Sequence, residues 1–179
     1  MRLTVDGKSY TQPLTLRLDP RVKTPAAGLA QLASLTREMY DGAVATHAAY
    51  EQARALAAQL DKLGGDDVAS FKAKVDSLAP PTPTGGRGGR GFGGGRGRGA
   101  GGSAPATLQS ASDAMLAAAM AMQGADVAPT ANDVAAAARA RSQATDVMRR
   151  WNALKTTGLA ALNAKRKAAG QALVTPPGQ

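Results

Sequence analysis

Between Gly85 and Gly102, close to its midpoint, the chain reads GGRGGRGFGGGRGRGAGG. The stretch holds no acidic residue and no aliphatic side chain larger than Ala. Ordering it would bury too little apolar surface to offset the conformational entropy lost. It reads as a disordered tether, so the fold has to come from the Ala- and Leu-rich segments on either side. Aromatics make up 3% of the 179 residues, and the expected core is helix packed on helix through small side chains. The predicted fold is mainly α: an antiparallel helical bundle of coiled-coil hairpins with a short N-terminal β-hairpin and a disordered Gly/Arg-rich central loop.

The segments follow from local pattern. Leu3, Val5, Tyr10, Leu14, Leu16 and Leu18 fall largely on period two, with Asp6-Gly7 between the two runs as a type I′ turn signal. Pro13 puts the second strand at an edge or bulge. This predicts a hairpin over residues 1–23, and because two strands alone are marginal in water, the end of a larger sheet. In residues 24–78, Thr24-Pro25 supplies an N-cap followed by a helix-starting proline. Leu29, Leu32, Thr36, Met39, Ala43, Tyr50, Ala53, Ala57 and Leu60 then keep three- and four-residue steps, one long amphipathic helix ended by Gly64-Gly65. A short helix follows, capped by Asp66 or Asp67, with Val68, Phe71, Val75 and Leu78 as its apolar face. Residues 79–104 form the linker, Pro-rich and then Gly/Arg-rich. Residues 105–170 complete the bundle: a helix from Pro105 with Leu108, Ala111, Met115, Ala119 and Met122 inward, then one capped by Thr130 that carries Val134 to Leu154. A break at Thr157-Gly158 precedes a last short helix with Leu159 and Leu162, and residues 171–179 are a tail. A relaxed coil of the linker's length spans roughly 25 to 30 Å, enough to return across much of a bundle.

The formal charge of +9 suggests nucleic acid until it is divided along the chain. Residues 25–78 hold five Lys and Arg against seven Asp and Glu, whereas residues 103–179 hold eight against four. An acidic half and a basic half suit each other at least as well as an external anion. No apolar run approaches the roughly 20 residues of a spanning helix, and no signal peptide is visible after Met1. Cys is absent, which excludes disulfides and thiolate metal sites.

The run RLTVDGKSYTQPLTLRLDPRVKTP resembles the end of the C-terminal immunoglobulin-like region of large bacterial proteins with a sortilin (Vps10)-like β-propeller of BNR/YVTN-type repeats, often labelled glycosyl hydrolase-like. QGADVAPTANDV and RWNALKTTGLAALNAKRKAAG resemble the terminal helices of that family. The chain departs from the pattern at Lys165-Arg166 and Gln171, where a more apolar helix end is expected. The resemblance implies a detached C-terminal part of an exported parent. The propeller, where any glycosidase-like site would lie, is missing, so no catalytic residue carries over.

Candidate sites are few. Gly86, Gly88 and Gly91 satisfy G-x-G-x-x-G only as any glycine tract does, without the βαβ context. Arg87, Arg90, Arg96 and Arg98 with Phe92 form an RGG-like set able to contact phosphates and stack on one base; a basic linker is the plainer reading. His47 has no nucleophile, base or metal partner at a telling spacing. Glu38, Asp41, Glu51 and Asp61 read as a solvated face, with Arg37–Asp41 and Asp61–Lys62 as surface neighbours. Trp151, Met148, Val147 and Leu154 read first as core and alternatively as an interface anchor. No metal, cofactor or catalytic constellation is indicated. The leading expectation is a non-catalytic packing or protein-interaction module whose partner is a sandwich or propeller domain or a second copy; an RGG-type nucleic-acid binder is the alternative.

Overall fold

Ala26–Leu60 (α1) is the axis of the molecule, a helix of 35 residues that at 1.5 Å per residue runs about 52 Å. The computed structural model describes residues 1–15, 17, 19–82 and 105–175. The other helices are Asp66–Leu78 (α2), Leu108–Ala121 (α3), Ala131–Ala153 (α4) and Leu159–Ala168 (α5). The hairpin strands are Arg2–Val5 (β1) and Lys8–Thr11 (β2). None of the helices among the described residues is long and apolar enough to cross a membrane.

Small residues let α1 approach its neighbours. Leu35, Met39, Ala43, Ala49, Ala53, Leu56, Ala57 and Leu60 are all buried, and they join Phe71, Leu108, Met115, Val147, Trp151 and Leu162 in one hydrophobic cluster. The two halves of the chain therefore share a single core. Thr46 lies within it, 1% exposed, and its hydroxyl donates to the Gly42 carbonyl at 2.8 Å, so this buried hydroxyl is satisfied.

The cross-helix contacts fix the directions. Ser112 Oγ donates to Ala43 O at 2.9 Å and Thr24 Oγ1 to Asp126 O at 2.6 Å, so rising numbers on α1 meet falling numbers on α3. Arg54–Asp76 and Asp61–Lys72 set α2 antiparallel to α1 in the same way. Pairs between α1 and the α4–α5 track keep a nearly constant separation, 103 residues at Glu38–Arg141 and 102 at Gly64–Arg166. Those two tracks run parallel and in register. Helices α2 and α3 thus share a direction, one lying beside the C-terminal half of α1 and the other beside its N-terminal half.

Tyr50 Oη lies 3.0 Å from Thr82 Oγ1, and Gln109, in the first turn of α3, lines the same groove as His47 and Glu51. The chain leaves α2 and re-enters α3 at the same level of α1.

Several ends differ from the sequence reading. Thr24 does not cap α1; the N-cap is Pro25 with no side-chain bond, and the Thr24 hydroxyl is used on Asp126 O. Asp66 and Asp67 lie in the first turn of α2, beyond the Gly65 N-cap, where carboxylates favour the positive end of the helix dipole. Helix α3 starts at a capping box of Thr107 and Ser110, and α4 at the expected Thr130, paired with Asp133. There is no break at Thr157-Gly158. Leu154–Gly158 forms a π-turn that joins α4 to α5, and a Cβ on Gly158 would lie 3.1 Å from both Phe71 Cε2 and Leu154 Cδ1. The glycine admits the Phe71 ring; it does not end the helix. The helix ends at Gly170, with φ of 65° and a Schellman pair, Gln171 N to Arg166 O and Gly170 N to Lys167 O.

Beyond Gly170 the expected tail folds back through residue 175. Asn163 donates to Val174 O and accepts from Val174 N, both at 2.8 Å, and Val174 is buried. Arg166, in a Lys-Arg-Lys run, is 5% exposed and donates through Nε to Ala172 O at 2.6 Å. Where the sequence comparison anticipated an apolar helix end, a guanidinium closes the tail instead.

The hairpin is shorter than the alternation that predicted it, ending at Thr11 ahead of Pro13. Asp6 and Gly7 have φ of 48° and 76°, the paired positive values of a type I′ turn. Leu3 faces Tyr10 and Val5 faces Lys8, while Arg2–Thr11 and Thr4–Ser9 point to the other side.

Candidate functional site

Two surfaces carry apolar side chains that the core does not use. The first is the hairpin. Strand alternation collects Leu3, Val5 and Tyr10 on one face, and they are 58%, 48% and 57% exposed. The opposite face is polar and internally bonded, with Arg2 Nη2 donating to Ser9 Oγ at 3.0 Å and Thr4 Oγ1 at 3.1 Å from the same atom. The ribbon is amphipathic, and all of its strand residues are exposed.

The second is a groove between α1 and α3. Two adjoining cavities, of about 760 and 500 Å³, share Tyr40 and extend along α1 from Leu29 to Glu51. Tyr40 and Val44 on α1 and Leu116 on α3 line it and are exposed, and Met120 lies one turn beyond Leu116. Its carboxylates are Asp126 toward the Leu29 end, Asp41 beside the shared Tyr40, and Asp113 and Glu51 in the second cavity; Arg37 and His47 are the basic side chains lining it. The wall is acidic in a chain whose net charge is +9. The apolar stripes read from the sequence leave out Val44, Leu116 and Met120. The available signal was a second stripe, with Tyr40 and Val44, and Leu116 and Met120, each four residues apart.

The residues singled out from sequence are dispersed. Trp151 and Val147 are fully buried, and Met148 and Leu154 pack partly buried against the core. Trp151 Nε1 has no hydrogen-bond partner among the described residues, and Lys155 Nζ sits 5.9 Å from the ring centre. Arg87, Arg90, Phe92, Arg96 and Arg98 lie outside the described residues. His47 stacks on Tyr50 with centroids 6.3 Å apart, and its Nε2 is 3.5 Å from Glu51.

The acidic residues read as one solvated face are split among partners. Glu38 takes both guanidinium bonds of Arg141 from α4, and Asp61 pairs with Lys72 of α2 rather than with its neighbour Lys62. The Arg141 hydrogen bonds, followed by its charge, hold the Glu38 carboxyl below the ordinary range against partial burial. Burial pushes Asp76 upward, but bonds from Lys72 and Arg54 together with their charges bring it below the ordinary value. These carboxylates are committed to ion pairs that join helices. Among the described residues, no group of three or more His, Asp and Glu side chains converges to hold a metal ion.

No protein-family model, curated protein or solved structure matches this chain.

Proposed function

We propose that this chain is a non-catalytic helical packing and protein-interaction module. In this reading it is the C-terminal element of an exported, sortilin-like β-propeller protein, and its hairpin completes the sheet of an immunoglobulin-like sandwich. The observation that carries the reading is the contrast between the two parts of the fold. The helices bury a continuous core of their own, whereas the hairpin presents Leu3, Val5 and Tyr10 to solvent over a polar face that is already bonded. A two-stranded ribbon is marginal alone, and a sheet laid along it would cover the apolar side and pair its open edge.

The test is amide hydrogen exchange on the full chain, with and without the separately expressed immunoglobulin-like domain of a sortilin-like propeller protein. Protection of the amides of Arg2–Thr11 on adding that domain is expected. Unchanged exchange there at saturating domain would end the reading.

A further inference from the structure

The groove between α1 and α3 has the dimensions and charge of a docking site for a helix. From Leu29 to Glu51 it follows α1 for roughly 33 Å at 1.5 Å per residue, the length of about six helical turns. Its floor carries the exposed Tyr40, Val44 and Leu116, and four carboxylates are spread along it, Asp126 toward the Leu29 end, Asp41 beside Tyr40 at the middle, and Asp113 and Glu51 beyond, against the basic Arg37 and His47. We propose that this groove binds a basic amphipathic helix of another polypeptide, with apolar residues at i, i+4 and i+7 laid between α1 and α3 and Lys or Arg beside the four carboxylates.

Charge decides between occupants. With four carboxylates against Arg37 and His47, a second copy joined through the same groove about a two-fold axis would bring together two surfaces of net negative charge, and like charges facing each other across an interface are penalised by several kcal/mol. A cationic helix meets the opposite situation, gaining both the apolar floor and the carboxylates. The proposal rests on the reading of this chain as an interaction module, but on a face remote in sequence from the hairpin.

The probe is a synthetic 22-residue helix of Ala, Leu and Lys, with Leu at i, i+4 and i+7, beside a counterpart in which every Lys is Glu. Binding to the full chain is followed by amide chemical shifts. The Lys peptide is expected to bind with a Kd on the order of 10 µM, shifting amides along Leu29–Glu51 and Leu108–Gln123, and to weaken as salt screens the carboxylates. Changing Asp41, Asp113 and Asp126 to Asn and Glu51 to Gln, all exposed positions, is expected to weaken it about tenfold, a loss of about 1.4 kcal/mol. Leu116→Lys is expected to abolish it. Circular dichroism melts confirm that each variant is folded. Equal binding of the Glu peptide, no binding of either, or shifts elsewhere on the chain would overturn the proposal. So would a concentration-dependent dimer that Leu116→Lys dissolves, which would assign the groove to a second copy. Leu3→Ser with Tyr10→Ser is expected to leave peptide binding intact, so failure at the groove and failure at the hairpin are told apart.

Discussion

Met115 occupies the space that a side chain on Gly42 would need: a Cβ built on Gly42 lies 2.2 Å from Met115 Cε and 2.7 Å from its Sδ. The contact lies where α1 and α3 cross, one residue before the Ala43 carbonyl that accepts from Ser112.

Gly42→Ala therefore sets two effects against each other. Helix propensity favours Ala by about 1 kcal/mol, while displacing a methionine that is 4% exposed overpacks the core by about 1–3 kcal/mol. Urea denaturation is expected to show a net loss of roughly 1 kcal/mol in the native background. In a Met115→Ala background the sign reverses, because the obstruction is gone. Additive behaviour in this double-mutant cycle would mean that the two residues do not compete for the space.

Acid is expected to loosen the joints between helices. Glu38, Asp76 and Asp133 are all held below their ordinary values in the fold. Near pH 4 the unfolded chain consequently binds more protons than the native one, and stability falls as the pH is lowered. The urea midpoint should be level from pH 7 to about 5 and decline below about 4, as the pH passes the unfolded values and then the lower folded ones. Glu38→Gln should lower the midpoint at neutral pH, and its deficit should shrink as acid protonates the native carboxylate as well.

Arg166 tests how the end of the chain is fastened. Its guanidinium reaches Ala172 O from Nε and Gly64 O from Nη1 at 3.4 Å, so one buried side chain ties the returning C-terminal segment to the turn after α1. Arg166→Met keeps the aliphatic stem and leaves these carbonyls short of a donor, an expected loss of about 1–3 kcal/mol. Lysine is not expected to restore it, because a single ammonium does not reproduce the planar fork. Faster exchange of the Val174 amide, which Asn163 holds, is the accompanying readout.

Trp151 separates packing from polarity. Its ring is fully buried and its Nε1 is without a partner among the described residues. Trp151→Ala should lose about 3–5 kcal/mol. Trp151→Phe gives up no hydrogen bond within the described structure and should lose less than half of that; a loss as large as that of the Ala variant would reveal a bond to the indole nitrogen.

Periodic burial was legible in the sequence. Val68, Phe71, Val75 and Leu78 form the buried face of α2 as their spacing requires, and Thr130 caps α4 because its hydroxyl and the Asp133 carboxylate are local in sequence. What escaped was set by distant partners. Glu38 looks like a surface residue until α4 brings Arg141 across 103 positions, and Arg166 sits in a basic run whose burial depends on carbonyls of the returning segment and of Gly64. Gly158 reads as a helix breaker when only neighbours in sequence are considered; the ring of Phe71 supplies its reason. The α1–α3 groove was hidden for the same cause, since Val44 and Leu116 acquire meaning only when two antiparallel helices set them side by side.

Tyr50 holding Thr82 at the level where α3 begins bears on how such a molecule can change over generations. One flank of the interval from residue 83 to residue 104 is held by Tyr50 of α1 and the other by Arg150 of α4, whose Nη1 donates to Ala106 O at 3.1 Å, so the helices do not measure how much polypeptide lies between them. A doubling of that interval costs only about 0.6 kcal/mol in closure entropy. The position is a splice point: an entire second domain whose own termini lie side by side could be carried there as cargo, with the helical scaffold left in register.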